Sequence, residues 1–198
     1  LSPAHGRPLA TPTQDMVIGG YYLTYCGEDL SSLAAENLDP RPKRFASEDD
    51  VILALEAGQQ GVGLQTPIEY RCNGELILTT PGRVILNEEV ARALADAMGD
   101  EFDHGAFRFI NRTLGKKEIG DFISDLVDQY GASRLAIVLD QIKALGFAYA
   151  TRAGVTVSKN DIVIPPDKEE ILASYEQRVV DIEHNYDRGL ITEEERHE

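Results

Sequence analysis

The feature of the sequence that most constrains its fold is a heptad-spaced series of apolar residues near the carboxyl end. Its members are separated by 3, 4, 3 and 4 residues and are Leu172, Tyr175, Val179, Ile182 and Tyr186. This spacing places them on one stripe of a helix, and such a stripe needs a facing helix to bury it. Gly189 is expected to end this arm, and Thr192 with Glu195 forms a capping box that starts a second helix. We therefore expect one arm of an antiparallel helical hairpin, in a chain that is an internal piece of a longer protein.

The charge of the chain argues against one class of function. The formal net charge is −15 over 198 residues, whereas a protein that binds nucleic acid by itself needs Lys and Arg to neutralise phosphates. Residues 166–198 alone hold 11 acidic and 4 basic side chains. We interpret this stretch as a solvated helical arm, which also suits basic partners or the outer mouth of a channel.

Composition also limits cofactors and location. Cys26 and Cys72 are the only cysteines and lack a CxxC spacing, so neither a zinc site nor a disulfide framework is predicted. No apolar run approaches the roughly 18 residues that a membrane span needs, and residues 1–5 do not resemble a signal peptide. We expect a cytoplasmic protein without membrane contact.

The amino-terminal part is predicted to begin with a helix. Thr11 is expected to cap it, with Pro12 at its first position and Gln14 completing a capping box. Gly19 and Gly20 inside this helix indicate either a second backbone packed closely against it or a kink, because glycine weakens a helix interior.

A second, short helix and a β-hairpin are predicted next. Ser47 is expected to cap the helix. Residues 68–72 alternate apolar and charged side chains, and Asn73-Gly74 is the strongest two-residue hairpin signal before the return strand at 75–78. We further predict a turn at residues 81–82, a strand at 83–86 and a helix at about 88–98.

The second half is predicted to be mainly helical. Apolar residues at helical spacing predict a helix over 119–130 that Gly131 stops. Ser133 is expected to cap the next helix, which buries Ile137 and ends before Gly146. Short strands are predicted at 154–158 and 162–164, and Pro165-Pro166 is expected to open the heptad helix. The fold class is α+β: a small mixed domain with a β-hairpin, then a helical region with one arm of an antiparallel coiled coil.

The sequence contains no familiar catalytic motif. It has neither the phosphate-binding GxxxxGK[ST] loop nor the GxSxG elbow, and its four histidines lie far apart. Asp103-His104 is interpreted as part of a surface loop, and a hydrolase built on that pair is discounted because no nucleophile is found. A basic cluster suits either a phosphate contact or, as we favour, a set of salt bridges at a helix edge; its members are Arg108, Arg112, Lys116 and Lys117. No catalytic or metal-binding residue is predicted in this chain.

Three stretches of the sequence share an order with a known family. They are LSPAHGRPLATPTQDMVIGGYYLT (1–24), TTPGRVILNE (79–88) with FRFINRTLGKKEI (107–119), and GFAYATRAGVTVSKNDIVIPPDKEEIL (146–172) with YDRGLITEEER in the arm. Together they resemble successive portions of the largest (beta-prime) subunit of bacterial DNA-directed RNA polymerase. The match covers most of the chain and is weakest over residues 27–63.

The resemblance implies a supporting role in RNA synthesis. Residues 1–130 correspond to the pore domain, through which nucleoside triphosphates enter, and residues 131–198 to the funnel with the first, truncated rim helix. Three groups of site residues follow from it: Thr11, Gln14 and Asp15 on the pore side near the active centre, Thr151, Arg152 and Gly154 at the base of the hairpin, and Glu195 and Arg196 for docking of factors. For Gln14 the capping role stays equally open, and for Arg152 a buried salt bridge is favoured.

The resemblance also implies partners and cofactors. The partners are the beta, alpha and omega subunits and secondary-channel factors such as transcript-cleavage factors, with DNA and RNA contacted only through the whole enzyme. This segment is expected to bind no cofactor, because the Mg²⁺ and Zn²⁺ sites of the subunit lie elsewhere. The family's guanosine-tetraphosphate pocket maps partly onto Ile137 and Asp140. That ligand is not predicted, because Ser133 and Ala144 replace a basic residue and an aromatic one.

An alternative reading stays open. The chain also suits an independent protein-interaction module, in which a coiled-coil arm projects from a small α+β body. The two readings differ at the heptad series, which a piece of a larger subunit leaves exposed and an independent module covers, for example by dimerising.

Overall fold

The chain divides into two compact units, Leu1–Val155 and Thr156–Glu198. The computed structural model describes residues 11–27, 29–30, 33–38, 40–156 and 158–197. Within these ranges lie seven α-helices and a three-stranded sheet. The predicted α+β class is therefore confirmed. The proposed division into a pore domain and a funnel region at residue 130/131 concerns function and stays a prediction.

The elements of the two units follow one another in a simple order. The first unit contains α1 (Asp15–Thr24), β1 (Arg44–Phe45), α2 (Glu48–Glu56), β2 (Ile68–Cys72), β3 (Glu75–Thr79), α3 (Pro81–Met98), α4 (Lys116–Tyr130) and α5 (Leu135–Ala153), with 3-10 turns at Ala35–Asn37 and Gly99–Glu101. The second unit contains a 3-10 turn at Lys159–Asp161, α6 (Lys168–Asp187) and α7 (Glu193–His197).

The predicted β-hairpin is confirmed. β2 and β3 pair antiparallel from Ile68 opposite Thr79 to Cys72 opposite Glu75. The two residues between the strands both have positive φ, 49° at Asn73 and 88° at Gly74, as the tightest hairpin turn requires. β1 adds to the other edge of β2 in the parallel direction.

Helix α3 replaces a strand and a turn that the sequence analysis predicted. Thr80 accepts a hydrogen bond from the Arg83 N–H, and Pro81 occupies the start of the helix, an arrangement that favours helix initiation. All residues from Pro81 to Asn87 are buried, so the segment has neither helical nor strand periodicity in its sequence. The predicted strand at 83–86 is therefore wrong, while the helix predicted at 88–98 is confirmed as the rest of α3.

The core of the first unit lies between α1, α3, α4 and α5. It is formed by buried apolar residues from all four helices, among them Leu23, Val90, Leu94, Ile123, Leu126 and Val138. A smaller cluster fills the space beneath the sheet and consists of Val51, Ile68, Tyr70 and Val84. The predicted cap of α2 is confirmed, because the Ser47 side chain accepts a hydrogen bond from the Asp50 N–H.

The boundaries of α4 and α5 confirm part of the prediction. Gly131, with φ 83°, ends α4 as expected. Ser133 does not cap α5, whose amino-terminal flank is Arg134 without a side-chain cap. The helix also continues past Gly146 to Ala153, and Ile137 is 48% exposed rather than buried. These three expectations were wrong. The helix continues through Gly146 because the backbone of α1 packs against that glycine.

The second unit contains no strand among its described residues. The strand predicted at 162–164 is wrong, because these residues are exposed and form no strand. The strand predicted at 154–158 is likewise not formed among its described residues, and Val157 lies outside them. Ser158 and Asp161 instead form a capping box around the 3-10 turn. α6 begins two residues after Pro166, and α7 follows a turn at Gly189 with φ 67°.

The heptad series lies on α6 and is open to solvent. Leu172 is 50% exposed and Val179 is 54% exposed, and no residue of α6 is buried. A helix of this length with an exposed apolar stripe is expected to pair with another helix.

Candidate functional site

The amino-terminal end of α1 carries the first group of predicted site residues. The chain turns sharply there, because the Met16 N–H donates to the Thr13 carbonyl over 3.2 Å. Gln14 has φ 52° and ψ −122°, which is the first central position of a type II′ turn and normally holds glycine. The Gln14 side chain is exposed. A non-glycine residue in this conformation stores strain, and such strain is common at functional sites.

The capping box predicted at this end of α1 is wrong. The helix begins at Asp15, its flanking residue is Gln14, and no side chain caps it. The Gln14 carbonyl instead accepts from the N–H groups of Val17 and Ile18, each over 3.0 Å. The Gln14 amide is therefore not used in capping, and Asp15 lies where a negative charge favours the helix dipole.

Helix α1 is held in place by close contact with α5. A Cβ atom on Gly19 would lie 1.8 Å from the Gly146 carbonyl oxygen and 2.9 Å from the Ala150 nitrogen. A Cβ atom on Gly146 would lie 2.9 Å from the Cα atom of Met16. Of the two explanations offered for Gly19 and Gly20, the closely packed backbone is therefore confirmed at Gly19.

A buried arginine fixes the other end of α1. Arg83 is 3% exposed, and its Nε–H donates to the Thr24 carbonyl over 2.9 Å. Its remaining N–H groups donate to the backbone and side-chain oxygens of Asn111 over 3.2 and 3.0 Å and to the Thr113 hydroxyl over 3.3 Å. Burial lowers the pKa of Arg83, although Cys26 and Asp29 oppose that effect. The positive charge lies at the carboxyl end of α1, where the helix dipole favours it.

Two further side chains connect this arginine to its surroundings. The Thr24 hydroxyl accepts from the Leu114 N–H over 2.8 Å. The amide of Asn87 donates to the Arg83 and Ile110 carbonyls over 2.7 and 2.9 Å, and its oxygen accepts from the Ile110 N–H over 2.6 Å. We call Thr24, Arg83, Asn87, Asn111 and Thr113 the Arg83 network. It ties α1, α3 and residues 110–114 together.

The Arg83 network was not predicted from the sequence. Residues 83–86 were predicted to form a strand, so Arg83 was not placed on the helix that positions it. The available signal was Thr80-Pro81, a capping residue followed by a proline suited to the first helical position. Thr11-Pro12 has the same pattern, but there the chain forms a turn before the helix begins at Asp15.

The second predicted group lies at the carboxyl end of α5. The Thr151 hydroxyl donates to the Phe147 carbonyl over 2.9 Å. Gly154 adopts the left-handed conformation, φ 59° and ψ 28°, and its N–H donates to the Ala150 carbonyl, which is a common way to end a helix.

Arg152 forms no salt bridge with a residue in the described part of the chain, so the buried salt bridge favoured for it is not found there. Its side chain is exposed, and its guanidinium lies 5.1 Å from the centre of the Tyr149 ring. Tyr149 is 7% exposed, and burial raises the pKa of its hydroxyl while Arg152 opposes the increase. The interaction is therefore a cation–π contact on the surface of α5. Among the described residues, no hydrogen bond or ion pair connects this second group with Thr11, Gln14 or Asp15.

The third predicted group lies in α7 of the second unit. The Glu195 carboxylate accepts from the N–H and the hydroxyl of Thr192 over 2.8 and 3.0 Å, and the Glu195 N–H donates back to that hydroxyl over 3.3 Å. The predicted capping box is thus confirmed, and its bonds lower the pKa of Glu195. The Arg196 guanidinium lies 4.6 Å from the centre of the Tyr186 ring in α6. Both residues therefore stabilise the turn between α6 and α7.

Two other candidates have simpler surroundings. Asp103 accepts a hydrogen bond from the Gly105 N–H over 2.8 Å, and the His104 ring packs edge-on against Phe102, as the surface-loop interpretation predicted. In the basic cluster, none of the four side chains forms an ion pair with a described residue, and all four are exposed. The salt-bridge set favoured there is therefore wrong.

The described part of the chain contains neither a cluster of metal ligands nor a membrane-spanning helix. No three His, Cys, Asp or Glu side chains come together there as metal ligands would. No helix in that part is both long enough and apolar enough to span a bilayer.

The chain resembles known polymerase subunits over its whole length. The family model described as RNA polymerase Rpb1, domain 3 matches residues 1–162. The DNA-directed RNA polymerase subunit beta' of Rubrobacter xylanophilus is 40% identical over 198 residues, which are 100% of this chain and 15% of the relative. That of Thermotoga neapolitana is 41% identical over 200 residues, 99% of this chain and 11% of the relative. That of Caldicellulosiruptor saccharolyticus is 38% identical over 206 residues, 100% of this chain and 17% of the relative.

The chain thus spans between 11% and 17% of the length of these relatives. The match includes α1 with Gln14, the Arg83 network and the end of α5, all of which lie within residues 1–162. The chain belongs to the RNA polymerase Rpb1 domain 3 family and corresponds to a segment of the beta' subunit of bacterial DNA-directed RNA polymerase.

Proposed function

We propose that this chain forms part of the wall of the pore through which nucleoside triphosphates reach the active centre of DNA-directed RNA polymerase. The observation that carries the proposal is the strained turn at Gln14. Its amide is exposed and unused by the helix cap, and α1 behind it is fixed at Gly19 by α5 and at Thr24 by Arg83. A rigid element that presents a polar side chain suits the positioning of a substrate.

In this proposal the chain guides substrate and performs no bond chemistry. When bound, Mg²⁺ ions stabilise the attacking and leaving oxygens of nucleotidyl transfer, and we expect their ligands to lie outside this chain. Thr11, Gln14 and Asp15 face the path to that centre. The Gln14 amide offers both donors and an acceptor, so it can bind a ribose hydroxyl or a phosphate oxygen without adding charge.

Steady-state kinetics of the assembled polymerase test this role. In the full-length subunit, Gln14→Ala removes the amide. The Cβ atom stays, so the backbone strain of the turn is unchanged. We expect kcat/KM for nucleotide addition to fall about tenfold, the loss that about 1.4 kcal/mol of transition-state binding produces. Gln59→Ala is the matched control, because Gln59 is also an exposed glutamine of the first unit. Equal kcat/KM for the two variants would reject the pore-side assignment.

We also propose that the end of α5 and the second unit form the base and first arm of a hairpin on the rim of the same channel. Thr151, Arg152 and Gly154 lie at the base, and Glu195 and Arg196 lie at the tip, where secondary-channel transcription factors dock. The exposed heptad stripe of α6 supports the arm, because a returning helix would cover it.

Binding of a transcript-cleavage factor to the assembled polymerase tests the tip. Arg196→Ala removes a guanidinium that lies on the Tyr186 ring, and Arg178→Ala removes an equivalent one from the Tyr175 ring within α6. Loss of factor binding in the first variant and retention in the second is the expected result. Equal binding in both variants would show that factors do not dock at the tip. The pore proposal would be unaffected.

The partners follow from membership of the assembled enzyme. We propose that the chain contacts the beta, alpha and omega subunits, meets DNA and RNA only through them, and works in the cytoplasm without a cofactor of its own. The second candidate function is an independent interaction module, which the same exposed stripe favours. Concentration-dependent dimerisation of the chain, abolished by Val179→Glu, would support the module over the polymerase arm.

A further inference from the structure

A groove in the first unit lies apart from the three predicted groups of site residues and includes Arg108 and Arg112 of the basic cluster. It has a volume of about 630 Å³ and runs between residues 107–112 and one face of α4. Its floor is apolar, because Phe122 and Leu126 line it and are 5% and 4% exposed. Pockets of this size commonly hold a ligand or part of a partner.

The two walls of the groove carry opposite charges. Arg108 and Arg112 line it from the extended segment, and Asp125 and Asp128 line it from α4. All four side chains are exposed, yet none forms an ion pair with a described residue. The groove therefore keeps the two signs of charge apart and leaves each available to an occupant.

This arrangement decides which class of occupant fits. A nucleic acid would bring phosphates to the arginines and would also place them near the two carboxylates, which repel them. A polypeptide can present an acidic side chain to one wall, a basic one to the other and an apolar one to the floor. Complementary charge of this kind sets specificity and register at protein interfaces.

We propose that this groove is a docking site for a segment of another polypeptide of the polymerase assembly, one with an apolar side chain between an acidic and a basic residue. The acidic residue pairs with Arg108 and Arg112, and the basic one pairs with Asp125 and Asp128. The apolar side chain covers the floor at Phe122. The proposal uses the family membership of the chain and is independent of its place in the pore.

Photo-crosslinking in the assembled polymerase tests the proposal. Benzoyl-phenylalanine replaces Gln129, an exposed residue of α4 that also lines the groove, in the full-length subunit. The crosslinked peptide is then sequenced by mass spectrometry. We expect one peptide from another polypeptide, with an apolar residue flanked by an acidic and a basic one.

Charge-reversal variants test whether the walls determine the binding. Arg108→Glu with Arg112→Glu changes one wall, and Asp125→Lys with Asp128→Lys changes the other. Each is expected to lower the crosslink yield about tenfold or more, because like charges then face each other. The control is Lys116→Glu with Lys117→Glu, which reverses two exposed charges just outside the groove and leaves the yield unchanged.

Several results would overturn the proposal. A crosslink to nucleic acid, to another part of the same subunit or to a second copy of the subunit identifies a different occupant. A yield that only the arginine variant lowers indicates a plain anion site. A yield that the control lowers equally, or no crosslink in an enzyme that still synthesises RNA, removes the groove as a docking site. Circular dichroism confirms that each variant is folded.

Discussion

The Gly19 Cα atom and the Gly146 carbonyl oxygen are so close that a Cβ atom on Gly19 would lie 1.8 Å from that oxygen. The two glycines come from helices that are far apart in the sequence, α1 and α5. Each glycine weakens its own helix, and the contact between the two backbones offsets that cost. This contact determines the position of α1 and therefore of Gln14.

Gly19→Ala is expected to destabilise the chain by about 2–3 kcal/mol, because one of the two helices must move away. Chemical denaturation measures the change. Gly120→Ala is the matched control, since Gly120 also lies inside a helix but a Cβ atom there meets nothing within 4 Å. That variant is expected to stabilise the chain by about 0.5–1 kcal/mol through helix propensity. Destabilisation of similar size in both variants would contradict the close-contact explanation.

Gln14→Gly is expected to stabilise the chain by about 1 kcal/mol. Glycine adopts φ 52° and ψ −122° without the strain that a side chain causes there, although it also gives the unfolded chain more freedom. Gln14→Ala keeps the strain and is expected to bring no gain. Chemical denaturation of the two variants measures their free energies of unfolding. Equal values would show that the turn is not strained.

Arg83→Met is expected to cost about 3 kcal/mol of stability, because the buried Thr24 carbonyl and the partly buried oxygens of Asn111 lose the donors of Arg83. Arg92→Met is the comparison. Arg92 bridges Glu48 and Glu89, but its side chain is 53% exposed, so its loss is expected to cost less than about 1 kcal/mol. Urea denaturation of both variants measures the difference. A cost at Arg83 no larger than at Arg92 would show that the Arg83 network is not needed for stability.

The capping box at the start of α7 is expected to weaken in acid. Hydrogen bonds from Thr192 lower the pKa of Glu195 from its usual 4.5. Because the folded pKa is the lower one, the stabilisation is complete above pH 4.5 and is lost as the pH falls through the lowered value. The protection factor of the Glu195 amide, which is its exchange rate relative to that of an unstructured peptide at the same pH, measures the loss across this range.

Two glutamine variants separate this effect from general acid unfolding. Glu195→Gln keeps an oxygen acceptor for Thr192 and removes the titrating group, so the protection factor of the amide should lose its acid dependence. Glu194→Gln leaves the capping box intact and should behave as the parent chain does. An acid dependence that persists in the first variant would assign it to another group.

Local sequence patterns determined several elements of this protein correctly. The hairpin at Asn73-Gly74, the cap at Ser47 and the capping box at Thr192 all depend on interactions within a few residues. α4 was predicted because its apolar residues are spaced so that they lie on one face of a helix, and that face is the buried one. The order of three sequence stretches also indicated the polymerase family.

The tertiary structure decided what these patterns left open. Residues 81–87 are all buried, so their sequence has no periodicity that would predict the start of α3. The Arg83 network was therefore not predicted either. α5 runs through Gly146 because α1 packs against that glycine. The site residues near the active centre and at the hairpin stay predictions. For Gln14, only the structure revealed the strained turn, because a glutamine in the sequence gives no sign of a positive φ, which normally calls for glycine.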